Sequence, residues 1–483
     1  MPVDTRHPDF ANHEAKWQRC RDTFEGQDAV KGARTVYLPR LGGQEPSDDS
    51  VYDAYLQRAQ YFNAVAPTVV ALTGAVFQKN FSIDNVPESV SGDIFEDVTM
   101  SGDSLEMFAR SLVGQVIHPG RAGVLVDLPV EGGLRPLWSI YRAEQIVNWR
   151  GRVVKGQTIS SLVVLKETDE EVDPADEFVV KLKTRYRVLQ LIDDTYTVSL
   201  YTELANKKNE FILSDRFTPT RRGLTMDFIP FVFVGPEGIT DHVSDPPLLA
   251  LVDLNIQHFM TMADLKWGEH FTALPTPVIS GTSTDAKVHI GSTEALIMEN
   301  PAAKAYFLEF AGTGLGSLRE SEKETRNMMA SIGARLMENT GPEQTAEEAR
   351  IQHSGETASL VNIAKSCSAA LSRAVQWTIW WMSTETVVPT DAAVKLSTDF
   401  LPVKMTPDEL AKLMLAWQGG AISFETFFHN CQEGGIYPPD TTLEVEKQRL
   451  DTEKEAAQAE ADEALRKQAE LNGGLDPIDD DDA

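Results

Sequence analysis

The chain has 483 residues, more than one simple core accommodates, and the size prior suggests roughly two to four sub-domains. Apolar content of 42% and charged content of 24% are ordinary for a folded protein, whereas a formal net charge of −29 is not. That charge argues against a compact reader of nucleic acid, which carries a basic face, and leaves open weak or repulsive contact with a polyanion.

Residues 11–118 read as mostly helical. Ala15, Gln18, Arg19 and Asp22 surround Trp17 in an amphipathic segment, and Gly32 to Gly43 is a turn-rich break. Tyr52, Tyr55, Leu56, Ala59, Phe62 and Asn63 keep an i, i+3, i+4 spacing, and Pro67 opens a further segment ending near Phe77. Ser104 caps a helix carrying Leu105, Phe108, Leu112 and Val113, which His118-Pro119-Gly120 stops.

From Arg121 the period changes to two. Gly123 to Asp127 and Leu137 to Tyr141 read as short strands, Ile159 to Lys166 and Phe178 to Ile192 as longer ones. Asp193-Asp194 supplies a turn into Tyr196–Leu204, and Ile229 to Val234 closes the β-rich block. Glu167 to Glu177, with seven carboxylates, is expected to be an exposed hairpin tip.

Asp245-Pro246-Pro247 opens a long helix with apolar residues at Leu248, Leu251, Val252, Phe259, Met262 and Leu265. A β-type insert containing Pro275 to Gly281 follows. The next helix, Ser317 to Asn339, has Leu318, Met328, Met329, Ile332 and Leu336 on one face and mixed charge on the other. Its charged face is either solvated through i, i+4 pairs or turned to a water-filled channel. After the loop Asn339 to Gln344, Thr345-Ala346-Glu347-Glu348 is a capping box opening a long helix to Trp381. Val394 to Phe400 is a strand. Thr406-Pro407-Asp408-Glu409 starts a helix with Leu410, Leu413, Met414 and Trp417 as its buried stripe, and Ser423 to Asn430 is its short partner. Thr441 to Leu471 is a polar helix, and Gly473 to Ala483 an acidic tail expected to be disordered.

Cys20, Cys367 and Cys431 form no C-x-x-C pair and read as isolated thiols. Met1 to Phe10 lacks the apolar region of a signal peptide, and no run of about 18 apolar residues spans a membrane, so a cytosolic chain or cytosol-assembled particle is expected. No G-x-x-x-x-G-K-[ST], H-E-x-x-H or G-x-S-x-G occurs. His242, His258, His270 and His289 lack ligand spacing, so no metal or cofactor is expected. Gly312 to Gly316 before a helix is a turn or a phosphate cradle. Asp127, at a strand end, stands where a catalytic carboxylate can, but the Lys or second acid at defined spacing that nuclease chemistry needs does not accompany it.

The order of elements resembles the portal (head–tail connector) proteins of tailed bacteriophages over residues 10–440. It is carried by Trp17 to Asp22, Val30-Lys31, Tyr37-Leu38-Pro39, the run from Tyr61 to Gly74-Ala75-Val76-Phe77, Ala143 to Arg150, Pro275 to Gly281 and Thr345 to Ala349. The resemblance implies a multi-domain α+β portal fold. Residues 1–240 would form a mixed α/β wing, 241–272 and 316–338 the paired stem helices, and 273–315 a small β clip. A tunnel loop at 339–345, a long wing helix and strand at 346–405 and a helical crown at 406–472 would follow, with 473–483 as the disordered tail.

It further implies a non-enzymatic homo-oligomeric ring, usually of twelve, in the virion at one capsid vertex and in host cytoplasm before assembly. Double-stranded DNA would pass through the ring during packaging and ejection. Partners would be the terminase large subunit, a head–tail adaptor and the major capsid or scaffold protein. Asn339, Thr340, Gly341, Pro342, Glu343 and Gln344 would be DNA-proximal, Arg319, Lys323, Arg326 and Arg335 would supply channel-lining charge, and Pro277, Lys287 and His289 would lie in the clip that docks motor and adaptor. The alternatives are another oligomeric virion or scaffold protein, and a metal-dependent hydrolase centred near Asp127.

Overall fold

The computed structural model describes residues 2–42, 49–127, 135–154, 156–173, 176–204, 207, 210–273, 276–281, 301–308, 312–335, 346–384, 387–398, 400, 407–437 and 441–472. The architecture is α+β, and the chain divides into two compact units, Met1–Phe400 and Leu401–Ala483.

The first unit opens with α1 (Pro8–Glu25), α2 (Gln27–Gly32), α3 (Ser50–Arg58) and α4 (Val65–Val76). Pro8 at the first helical position and the His7 ring, which accepts from the Asp9 amide, start α1. Trp17 is fully buried from it. The helical spacing of Tyr52 to Asn63 does not continue as helix: α3 ends at Arg58, and residues 59–64 lie outside any helix. Their backbone groups are taken by a side chain from a distant helix, described below. Strand β1 (Ser82–Asp84) and the single-turn helices α5 (Glu88–Ser91) and α6 (Asp93–Glu96) lead to α7 (Leu105–Ile117). The Ser104 hydroxyl accepts from the Met107 amide at 3.3 Å, the cap expected there.

Among the described residues the β block contains two larger sheets and one short strand pair. Strands β2 (Ala122–Asp127), β3 (Leu137–Arg142) and, later in the chain, β11 (Phe231–Val234) form one, in antiparallel order β11-β2-β3. Every residue of β2 is buried. Gly123 is required at its position because a Cβ there would lie 2.1 Å from the Phe231 ring. Strands β4 (Ile146–Val154), β5 (Gln157–Asp173), β6 (Asp176–Ile192), β7 (Thr195–Glu203) and β8 (Phe211–Phe217) form a five-stranded antiparallel meander. Asp193 and Asp194 both have positive φ, the backbone of a two-residue type I′ hairpin turn. Short β9 (Thr220–Arg221) and β10 (Leu224–Thr225) pair with each other.

The acidic stretch is strand and not loop as far as Asp173. Register places Glu167 opposite Arg185, Asp169 opposite Lys183 and Glu171 opposite Lys181. Acidic residues have low strand propensity, but here every second one meets a cation across the ladder, which offsets that propensity.

Helices α8 (Leu249–Ala273), α9 (Thr313–Arg335) and α10 (Ala346–Met382) follow, with β12 (Thr276–Ser280) and β13 (Lys304–Leu308) paired between the first two. Helix α10 buries Trp377, Trp380 and Trp381. Phe228 stacks on Trp377 at 5.9 Å, and the Trp138 indole donates to Thr378 Oγ1 at 2.8 Å, which ties α10 to the β block. Strand β14 (Ala393–Lys395) pairs with β1 and is shorter than the expected Val394–Phe400. Ser368 and Ser372, one helical turn apart on α10, accept from the Leu396 and Val394 amides and hold that segment. The caps expected at Thr345 and Thr406 lie outside the described residues.

The second unit contains α11 (Pro407–Gln418), α12 (Phe424–Glu433) and α13 (Leu443–Asn472). Trp417 stacks on Phe427 at 4.8 Å, and Ser423 caps α12 through the Thr426 amide. The expected buried stripe of α11 is only partial. Leu413 and Trp417 are half-buried, while Met414 and Leu415 are exposed. The tail 473–483 lies outside the described residues.

Candidate functional site

Helices α8 and α9 form an antiparallel pair, fixed by contacts that run in opposite directions along them. His258 Nε2 lies 3.1 Å from Glu322 Oε1, and Arg319 Nη2 donates to Glu269 Oε1 at 3.1 Å. Hydrogen bonds from Lys266 and then Arg319 hold the Glu269 carboxyl below its ordinary range. At the crossing, a Cβ on Gly268 would stand 2.6 Å from Leu315 Cδ2, so glycine permits the approach. We expect Gly268→Val to cost about 1–3 kcal/mol and to lower hydrogen-exchange protection of the α9 amides. Unchanged α9 protection would mean that the helices do not meet closely here.

The N-terminal half of α8 is built into the first unit. Leu251, Val252, Ile256, Phe259 and Ala263 are buried, and Asp245, Asp253 and Asp264 bind Lys16, Arg19 and Tyr55 respectively. Asn255 is fully buried. Its Nδ2 donates to Phe62 O at 2.7 Å, and its Oδ1 accepts from the Ala64 amide at 3.1 Å and faces the Tyr61 hydroxyl at the same distance. This side chain replaces the helical partners that residues 59–64 forgo. Between that segment and the helix pair lies a cavity of about 400 Å³ bounded by Phe62, His258, Met262, Glu322 and Arg326. His258 is buried and its Nδ1 has no partner among the described residues.

Helix α9 packs on one side only. Thr325 and Met329 are buried, while residues 319, 320, 323, 324, 326 and 327 are exposed. Of the cations expected to line a channel, Arg319 pairs with Glu269 and Arg326 lies 3.6 Å from Glu322 within its own helix. Lys323 is exposed without an ion-pair partner among the described residues. The Arg335 side chain and all of Asn339 to Gln344 lie outside the described residues. Pro277 is in β12, paired with Phe307, whereas Lys287 and His289 lie outside the described residues. Gly312, at positive φ, makes the turn into α9.

Asp127 is committed elsewhere. Its Oδ2 accepts from Arg187 Nη1 at 2.9 Å inside a buried cluster in which Arg187 Nε also binds Glu167. A guanidinium occupies the position that a metal or substrate would need. Among the described residues, no group of three His, Cys, Asp or Glu is placed to hold a metal ion, and no helix is long and apolar enough to cross a membrane. Cys20, Cys367 and Cys431 are buried and free, with burial pushing the Cys20 thiol up to about 12.

The sequence alone does not reveal the roles of Asn255 and of His258 with Glu322. A signal existed at Asn255, an amide in the middle of an apolar helical stripe, because buried amides are hydrogen-bonded. Nothing local marks the 258–322 pairing.

Residues 247–382, from α8 through α10, are similar to a domain of unknown function (DUF4055). Among curated proteins, none matches. The chain is also similar to three solved assemblies. The neck of an empty gene transfer agent (GTA) particle computed with C6 symmetry is 12% identical over 86% of this chain and 99% of that one. The virion of a native GTA particle is 13% identical over 82% and 95%. The neck of a native GTA particle computed with C12 symmetry is 10% identical over 83% and 97%. The TM-score is 0.36 in each case, too low to assign fold or role.

Proposed function

We propose that this chain is a portal subunit, one copy of a ring that conducts double-stranded DNA through a capsid vertex during packaging and ejection. The observation that supports it most is the succession α8, β12–β13, α9, α10. Two antiparallel helices of 25 and 23 residues, each about 35–38 Å long at 1.5 Å per residue, are joined by a small β pair and followed by a 37-residue helix. A helix that packs along one side and presents charge on the other suits a subunit whose free side faces a neighbour or a water-filled channel.

In this reading α8 and α9 are the stem, β12–β13 with Lys287 and His289 the clip, 339–344 the DNA-proximal loop, and the second unit the crown. The sum of −29 per copy repels the duplex from the wall and lets it slide, with Lys323 as a weak phosphate contact. A terminase would supply force, and the adaptor and capsid or scaffold protein would dock on the clip and the wing.

The test is electron microscopy of the purified chain together with light-scattering mass. Rings with an axial channel wide enough for duplex DNA are expected. Closed assemblies without an axial hole favour another virion or scaffold role, and a stable monomer at high concentration overturns the ring.

A further inference from the structure

Beyond residue 166 on β5 and before residue 185 on β6, neither strand has a second neighbour among the described residues, because β4 pairs only as far as Leu165 and β7 only from Arg185. The distal part is a bare two-stranded arm, marginal in water on its own. Its two faces differ. One carries the ion pairs Lys181–Asp173, Lys183–Glu171 and Arg185–Asp169. The other carries Val172 opposite Val180 and Glu170 opposite Leu182, and Phe178 lies just beyond the irregularity that follows Val172. Phe178 is 86% exposed and Leu182 69%. A cluster of exposed apolar side chains at a bare strand end marks an interaction site or an aggregation hazard.

The same chain carries a matching hollow. A cavity of about 450 Å³ lies between the β block and α10, walled by Ile159, Phe228, Phe231, Trp377 and Val388. At its mouth Arg373 is exposed, with no carboxylate partner among the described residues, while Asp241 lies in the field of buried Arg121. On the arm, Glu177 directly precedes Phe178 and has no cationic partner among the described residues.

The arm cannot fill its own hollow. Ile159 on the cavity wall and Val172 on the arm belong to one continuous strand, which at about 3.3 Å per residue separates them by roughly 40 Å. We propose that the occupant is a second copy of this chain: Phe178 of one subunit enters the cavity beside the stacked Phe228 and Trp377 of the next, against Val388 and Ile159, and its Glu177 meets Arg373 at the mouth. Knob and hole lie on different surfaces, so the contact is head-to-tail and closes into a ring when the rotation per copy allows. The inference rests on the ring reading and names a contact that joins the wings.

The test uses the full chain with Glu177→Cys and Arg373→Cys together, which leave Phe178 in place, the native cysteines being buried. Mild oxidation of assembled protein is expected to give a covalent ladder that neither single variant gives. Rings without a ladder overturn the knob and leave the ring standing, whereas an unsubstituted chain that never assembles overturns both. Phe178→Asp is expected to weaken self-association about tenfold or more with an unchanged monomer melting temperature, since the residue is exposed. Unchanged assembly of that variant would give the cavity to a partner of other sequence and overturn the proposal.

Discussion

Arg187→Met is expected to lower the unfolding free energy by about 3–5 kcal/mol at neutral pH, the scale for removing one partner of a buried ion pair. The side chains of Arg187, Asp127 and Glu167 are 16%, 10% and 12% exposed. Arg187 binds both carboxylates, at 2.9 Å to Asp127 and 2.8 Å to Glu167. Glu167 also accepts from the Tyr141 hydroxyl at 2.6 Å and from Arg185 at 2.8 Å. Taking away the shared guanidinium leaves two acids beside each other with only part of their compensation. Denaturant unfolding at pH 7 measures the effect, and a loss below about 1 kcal/mol would mean that solvent already screens the cluster.

The same cluster fixes a pH dependence. Burial pushes the Glu167 carboxyl upward, but Arg187, the Tyr141 hydroxyl and Arg185 outweigh it and hold it below the ordinary range. A lowered folded pKa stabilises the fold above the unfolded value, about 4.3 for Glu, and that stability is lost as pH falls through the folded value. Without Arg187 the upward push of burial gains, so charge on Glu167 opposes folding at neutral pH and protonation relieves it. The gap between wild type and Arg187→Met is therefore expected to narrow as pH falls from 7 towards 4. Glu167→Gln added to Arg187→Met should recover part of the loss at pH 7.

Local signals in the sequence located those elements that local chemistry determines. Ser104 followed by Leu105, Phe108, Leu112 and Val113 specifies α7, and the observed cap is the one those residues call for. Asp193-Asp194 between alternating strands specifies the β6–β7 turn. Errors arose where a distant residue decides. Glu167 to Asp173 reads as loop until Lys181, Lys183 and Arg185 stand opposite it. Residues 59–64 read as helix until Asn255, nearly two hundred positions later, takes their backbone groups. Strand β8, Phe211–Phe217, has mixed polarity without strict alternation and carries no local strand signal. Within the candidate site, the helices themselves were legible from apolar period and Pro/Gly punctuation. The partners of their charges were not, since the 258–322 and 269–319 contacts depend on which faces meet.

Asn255→Ala is expected to cost about 1–3 kcal/mol, because it leaves the polar partners of a buried amide unpaired, with exposed Phe62 and half-buried Ala64 letting water recover part of the loss. The Ala64 amide and the Phe62 carbonyl lose their partner outright, whereas the Tyr61 hydroxyl keeps Thr23 O at 2.8 Å. The consequence reaches the helix pair, since Tyr61 and Phe62 wall the cavity against His258, Glu322 and Arg326. Hydrogen exchange separates a local effect from a transmitted one. Loss of protection in residues 59–64 together with α9 means that the clamp positions the pair through that cavity wall. Loss confined to 59–64, with α9 unchanged, would assign the anchoring of α8 to Lys16, Arg19 and Tyr55 through Asp245, Asp253 and Asp264, and Asn255 would then hold only the segment it touches.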